Sequence, residues 1–167
     1  MTFDPVEHPI SIRIATSAES PKVQSIREYA FESVRAIYSP VGVSHITPVS
    51  VHENRVDAVA SIGDADAGVM GIYSDGSILR VTGLGVLPAF RRCGIASALL
   101  GFAGQVAIER GCREVGLFTI RETDNLKVFL KLGFAVFHEE IADWCESNRF
   151  NTLHEVEMRR PVKPQPP

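Results

Sequence analysis

The sequence predicts a single mixed α/β domain, and three observations carry that reading. A strand-like run, Ile78 to Val86, passes through Leu87-Pro88-Ala89-Phe90 and a basic, glycine-containing corner, Arg91-Arg92-Cys93-Gly94, into a helix. The apolar residues Ile95, Leu99, Phe102 and Val106 then recur at steps of 4, 3 and 4, the period of a helix with one buried face. Elsewhere, short alternating apolar segments are separated by Asp-, Gly- and Ser-containing turns, with no linker, repeat or low-complexity block between residues 10 and 160.

Taken in order, Ile10-Ser11-Ile12-Arg13-Ile14 alternates apolar and polar and predicts a first strand. Ser20-Pro21 reads as an N-cap followed by a helix-opening proline. Val23, Ile26, Ala30, Val34 and Ile37 carry the helix to Ser39-Pro40, where proline stops it. Residues 40–54 fit a short helix or an irregular loop. Val56–Ile62 and Gly68–Tyr73 predict two antiparallel strands joined by an Asp/Gly turn, and Ser74-Asp75-Gly76-Ser77 is the turn into the strand Ile78–Val86. Gly111 stops the helix that follows. Glu114–Ile120 has the apolar character of a parallel strand, Asp124-Asn125 opens a short helix ending at Gly133, and Phe134–Ile141 and Asn151–Met158 supply two closing strands.

The corner at residues 91–97 has one evident use. A strand that turns into a helix through small residues points backbone N–H groups, and the positive end of the helix dipole, at a bound phosphate. Gly94 and Ala96 keep the first turn free of bulk, and Arg91 and Arg92 add side-chain charge. Other phosphate loops are excluded: no Gly-Lys-Ser/Thr is present, and Gly83-Leu84-Gly85 leads to a proline instead of completing Gly-x-Gly-x-x-Gly. A helix start that uses Gly and Ala only for packing is the alternative.

Val86-Leu87-Pro88-Ala89-Phe90-Arg91 followed by Arg91-Arg92-Cys93-Gly94-Ile95-Ala96 resembles motif A of the GCN5-related N-acetyltransferases. The resemblance covers roughly residues 10–160. It implies the acetyltransferase (GNAT-type) α/β fold: a mixed, mostly antiparallel central sheet with flanking helices and a splayed pair of parallel strands. It also implies acetyl-coenzyme A as cosubstrate, an amine as acceptor and direct transfer between them, with no metal. The pyrophosphate would lie on Arg91, Arg92, Cys93, Gly94, Ile95, Ala96 and Ser97, and the pantetheine arm would lie along Leu84, Gly85 and Val86 like an added strand. Asn125-Leu126-Lys127-Val128-Phe129-Leu130-Lys131-Leu132-Gly133-Phe134 resembles the family's second signature, and places the Asn125 amide beside the pantetheine, a helix N-cap being the other use for it.

Phe129 stands where the family usually has a tyrosine that protonates the departing thiolate. It keeps the ring as a wall of the thioester pocket and cannot act as an acid. The strand Ile78–Leu84 carries no carboxylate to serve as base. The candidates for proton transfer are therefore His52 and Glu53, Asp57, His138 and Glu139, with Tyr73 as a donor from a central strand. Trp144, in the segment before the last strand, is a candidate acceptor-pocket wall. A non-catalytic coenzyme A-binding module of the same fold is the competing reading, favoured by Phe129.

The remaining observations set bounds. With 45% hydrophobic and 22% charged residues in 167, the composition is that of an ordinary soluble domain. A net charge of −3 provides no global field for nucleic acid or an anionic membrane. Three cysteines without Cys-x-x-Cys or metal-ligand spacing suggest reduced thiols and a cytoplasmic setting. Residues 1–9 and the proline-rich residues 161–167 read as flexible tails outside an N-acetyltransferase domain at 10–160, and no apolar run approaches the ~18–20 residues of a membrane span. The expected partners are a small-molecule or peptide amine and, from the closing strands, a second copy in a homodimer.

Overall fold

The structure is a computed structural model and describes residues 8–47 and 54–163. Strand β1 (Ile10–Ile14) leads through a 3-10 turn (Ser17–Glu19) into helix α1 (Ser20–Arg35) and a two-residue strand β2 (Ser39–Pro40). The meander β3 (Val56–Ile62), β4 (Ala65–Asp75) and β5 (Ile78–Val86) follows. A second 3-10 turn (Pro88–Phe90) precedes α2 (Ile95–Glu109); then come β6 (Glu114–Ile120), α3 (Asn125–Lys131), β7 (Ala135–Ile141), β8 (Cys145–Glu146) and β9 (His154–Pro161).

Several boundaries differ from the sequence expectation for identifiable reasons. Ser20 is already helical, and the turn before it is closed instead by Glu19, whose carboxylate accepts the Thr16 N–H at 3.0 Å and an Arg13 guanidinium N–H at 2.7 Å. Helix α1 ends at Arg35, before Ile37, because the Ile37 and Tyr38 N–H groups both turn back onto the Val34 carbonyl. After it, the described residues 39–47 form β2 and turns, with no helix among them. Strand β9 starts three residues later than expected and runs through Pro161; beyond it the Val162 N–H donates to the Arg113 carbonyl at 2.9 Å.

The main sheet has the order β1-β3-β4-β5-β6-β9-β7, and β2 pairs with β8 in a separate ribbon. Every neighbour in the main sheet is antiparallel except β5 and β6. That parallel pairing extends only over Ile78–Glu114, Leu79–Val115 and Arg80–Gly116, after which the two strands diverge. The divergence coincides with a bulge: Val69 faces Gly85 and Gly71 faces Thr82, so β5 carries one more residue than β4 across this stretch. Gly83 in the bulge has φ +56°, a conformation that an L side chain resists. The extra residue increases local twist and turns the end of β5 away from β6.

Strand alternation divides the core. On one face Ala58, Ala60, Met70, Ile72, Leu79 and Val81 meet α2; on the other Val59 and Val69 meet Val23 and Ile26 of α1. The buried line of α2 is Ile95, Leu99, Leu100, Ala103 and Ala107, while Phe102 and Val106, expected in the stripe, flank it half-buried. Two alanines in that line let the helix lie close to the sheet. Each fully buried Leu or Ile contributes roughly 1.5–3 kcal/mol of transfer free energy, which holds the N-terminus of α2 at the strand divergence. A third cluster, Ile120, Ala142, Cys145 and Leu153, carries Tyr38 and Trp144 on its margin. The Val41 and Gly42 N–H groups both donate to the Trp144 carbonyl, so the chain after α1 is tied to the chain before β8.

Candidate active site

The gap between β5 and β6 opens into two adjoining cavities. The first, about 680 Å³, runs from the end of β5 along the N-terminus of α2 to α3. Its wall at the N-terminus of α2 is built by main-chain geometry. Arg92 has φ +63° and Gly94 φ +83°, so the chain reverses twice within three residues. The first intrahelical bond at this end runs from the Ala98 N–H to the Gly94 carbonyl at 3.0 Å. The N–H groups of Ile95, Ala96 and Ser97 consequently have no intrahelical acceptor and sit at the positive end of the helix dipole. A left-handed arginine is a local strain of the kind that persists where the surroundings over-determine it.

The fold brings Leu84, Gly85, Val86, Arg91, Arg92, Gly94, Ile95, Ala96, Ser97, Asn125 and Phe129 together around this cavity. Cys93, named with them from the sequence, is not among the lining residues; its Sγ turns back to the Arg91 carbonyl at 3.6 Å. The expected use of the Arg91 side chain also needs correction. Its Nη2 donates to the Ala30 carbonyl at 3.1 Å and the Ser33 hydroxyl at 3.2 Å. Those bonds commit the guanidinium to tying the loop to α1, so the donors left facing the cavity are mainly backbone.

The second cavity, about 380 Å³, shares Phe31, Val34, Leu84, Thr123, Asn125 and Phe129 with the first and is continuous with it. Beyond this junction its wall includes Tyr38, Arg55, Tyr73, Arg80, Trp144 and Glu155. Phe129 stands edge-on to Phe134, centroids 6.0 Å apart, which fixes its ring at the junction. Arg80 is buried and spoken for: it donates to Glu157 at 3.1 Å and Asp75 at 3.3 Å, and lies 5.1 Å over the Phe118 ring. Burial pushes the Tyr38 and Tyr73 hydroxyls above their ordinary pKa, so both are protonated at neutral pH. Burial, then the Glu155, Glu122 and Asp143 carboxylates, pushes the Cys145 thiol up to about 11, which keeps it an inert thiol.

The proton-transfer candidates separate clearly. Tyr73 is 6% exposed and lines the second cavity. His138 lines neither cavity: β7 pairs only with β9 at the sheet edge, its side chains are largely exposed, and the imidazole meets Glu140 at 2.9 Å. Glu139 is held by Arg121 (2.6 Å) and Asp57 by Arg27 (2.9 Å), and neither faces the cavities. His52 and Glu53 lie outside the described residues. The sequence reading missed Glu155, Tyr38 and Arg80. Among the described residues no group of three metal-capable side chains converges, and no helix is long and apolar enough to cross a membrane.

Comparison with known proteins adds to this geometry. The profile of the "Acetyltransferase (GNAT) family" matches residues 26–134. The aminoglycoside N(6')-acetyltransferase type 1 of Salmonella typhimurium is 37% identical over 83 residues, 47% of this chain and 57% of that protein, and its Salmonella enteritidis counterpart matches equally. The chain thus spans little more than half the length of these curated relatives. A GCN5-related N-acetyltransferase from Kribbella flavida superimposes with a TM-score of 0.70 at 18% identity, covering 92% of this chain and 98% of that one. The ribosomal-protein-S18-alanine N-acetyltransferase from Escherichia coli gives 0.70 at 14%, covering 94% and 96%. An aminoglycoside 6'-N-acetyltransferase solved with coenzyme A gives 0.65 at 14%, covering 94% and 99%. At these identities the structural likenesses concern the fold.

Proposed function

The chain belongs to the GNAT acetyltransferase family, and on that footing we propose that it moves an acetyl group from acetyl-coenzyme A directly to an amine. One observation carries the proposal: β5 and β6 part beside the open N-terminus of α2, and the gap joins a second cavity at Phe129.

Coenzyme A fits the residues present. The unbonded N–H groups of Ile95, Ala96 and Ser97 suit a pyrophosphate, with Arg92 adding charge. The edge of β5 beyond Arg80 has lost its β6 partner, so its main-chain groups are available to the amides of a pantetheine arm. Asn125 offers a side-chain amide at the junction. Bound there, acetyl-coenzyme A supplies an activated acyl carbon and a thiolate leaving group.

The protein's own groups account for the remaining chemistry. Main-chain N–H groups at Leu84 to Val86 polarise the carbonyl oxygen as charge develops on it. The second cavity holds the amine beside the junction, so that attack is effectively unimolecular. A neutral amine nitrogen bonds to the carbonyl carbon, the carbon–sulfur bond breaks with its electron pair passing to sulfur, the nitrogen gives up a proton to water and the thiolate gains one. The Tyr73 hydroxyl, a phenol that carries its proton at neutral pH and lines the second cavity, is the donor we assign in place of the tyrosine that Phe129 lacks.

Calorimetric titration of acetyl-coenzyme A into the wild type and Ser97→Glu tests the site. Ser97 is exposed in the first turn of α2, where a carboxylate favours the helix yet repels a phosphate. Saturable binding by the wild type, lost in a variant that melts no lower, is expected, together with amine-dependent thiol release. Absence of binding by the wild type would overturn the proposal.

A further inference from the structure

Two carboxylates on β9 occupy the same face of the sheet and are treated differently by the fold. Glu157 is buried and neutralised by Arg80 at 3.1 Å and Arg159 at 2.5 Å. Glu155, one strand repeat earlier and 2% exposed, meets neutral donors among the described residues: the Trp144 Nε1–H at 2.7 Å and the Ser44 hydroxyl on Oε2, and the Thr47 hydroxyl on Oε1. Among the described residues no lysine, arginine or histidine forms an ion pair with it. A carboxylate has about four lone-pair positions, and three are taken here. A buried charge without a counter-charge is costly, and here it stands in the wall of a cavity.

The surroundings of Glu155 suit a cation. Tyr38 and Trp144 stand edge-to-face, centroids 6.3 Å apart and planes at 88°, on the same wall. Arg35 already lies 5.6 Å over the Tyr38 ring, which leaves the Trp144 ring as the main surface for a new cation. Phe31, Leu117, Phe118 and Phe129 add apolar surface to the wall, and its other charged members among the described residues, Arg55 and Arg80, are already paired with Asp57 and with Asp75 and Glu157. Among the described wall residues no second carboxylate is present to receive a second positive charge on the ligand.

We propose that Glu155, with the Trp144 and Tyr38 rings beside it, is the docking point for the ammonium group of the acceptor. The acceptor is a small amine carrying one positive charge on an apolar or aromatic stem, and not a polycation. This rests on the acetyl-transfer reading, because it treats the second cavity as the acceptor's place. It assigns Glu155 recognition of the ammonium form; the ammonium proton passes to water as the amine advances to the junction.

Trp144 is the sole tryptophan of the chain, so its emission reports occupancy without turnover. The experiment titrates 2-phenylethylamine, the isosteric neutral 2-phenylethanol, spermidine and kanamycin into the wild type and Glu155→Gln, with and without saturating coenzyme A. Expected is a saturable change with 2-phenylethylamine, weakened at least tenfold both in Glu155→Gln and on replacing the amine by the alcohol. Spermidine and kanamycin are expected to bind at least tenfold more weakly. Tighter binding of either polycation, or equal binding of amine and alcohol to the wild type, would overturn the proposal. The alcohol comparison needs no substitution and holds even if Glu155→Gln fails to fold. Calorimetry with acetyl-coenzyme A separates the two readings: loss of that binding in the wild type defeats acetyl transfer, whereas normal cofactor binding with charge-blind amine binding defeats only the role of Glu155.

Discussion

Replacing Gly83 by alanine tests whether the bulge in β5 holds the cleft open. The residue has φ +56°, and a Cβ there would lie 2.4 Å from Arg27 Nε, 3.0 Å from its Cδ and 3.1 Å from its Cζ. The Arg27 side chain is 14% exposed and donates to the Gly83 carbonyl at 3.1 Å and to Asp57 at 2.9 Å, so it has little room to retreat. The left-handed backbone costs an L-residue ~1–2 kcal/mol, and losing one hydrogen bond from a charged donor costs a further ~1.5–3 kcal/mol. Gly76→Ala is the control: its φ is +60°, and nothing lies within 4 Å of the added methyl. Gly83→Ala is therefore expected to be less stable than Gly76→Ala by roughly 1.5–3 kcal/mol, a further fall in Tm of about 3–12 °C for a domain of this size. Urea unfolding and calorimetric melting measure this gap, and titration with acetyl-coenzyme A measures the cleft, which is expected to weaken in Gly83→Ala alone. Equal stability and equal affinity in the two variants would refute the argument that steric closure against Arg27, and not the φ angle alone, reserves this position for glycine.

Other consequences can be measured directly. Burial opposes ionisation of Asp66, yet hydrogen bonds from Arg13, Lys22 and Ser61 outweigh it and hold the carboxyl at about 2 instead of 3.8. A depressed folded pKa stabilises the protein above the unfolded value, and that stability is lost as pH falls through the folded one. The gap in unfolding free energy between wild type and Asp66→Asn is thus expected near ~2 kcal/mol at pH 7, closing between pH 3.8 and about 2; a gap independent of pH in acid titrations would contradict it. Tyr73→Phe is expected to lower kcat by ~10²–10⁴-fold with the acetyl-coenzyme A affinity unchanged, and an unaltered kcat would remove Tyr73 from proton transfer. His138→Ala, at the exposed sheet edge, is expected to change turnover less than twofold, and a tenfold loss would restore it as a candidate.

The loop that opens α2 was legible because it is local. Its residues from Leu84 to Ser97 follow one another in a strand, a turn and a helix start, and main-chain geometry needs no distant partner to make the cradle. What the local pattern could not contain is competition for a side chain. Arg91 reads as phosphate charge until α1 folds back and offers the Ala30 carbonyl and the Ser33 hydroxyl, about sixty positions away in sequence. The opening between β5 and β6 was legible only through family resemblance, since it depends on a register shift against β4. Histidine at 138 looked chemical by residue type; its place on an exposed edge strand, paired to β9 alone among the described strands, sets it in solvent.

Glu155 shows the same limit from the opposite side. Along His154-Glu155-Val156-Glu157-Met158 the acidic residues alternate with apolar ones, the pattern of a strand with one face in water. Val156 and Met158 do face the core. The other face, though, is covered: the chain after α1 brings Ser44 and Thr47, the chain before β8 brings Trp144, and β5 brings Arg80. Period-2 alternation identifies two faces and says nothing of what closes over the second one. A charged face that a fold goes on to bury must be neutralised or used. Arg80 neutralises Glu157, whereas the described residues over Glu155 supply neutral donors and leave a carboxylate in the cavity wall. That asymmetry arises from the two connecting segments and not from the strands, so on the proposed reading acceptor choice and cofactor binding rest on separate parts of the chain, and substitutions at Ser44, Thr47 or Trp144 are expected to change amine binding in the fluorescence titration while sparing acetyl-coenzyme A binding by calorimetry.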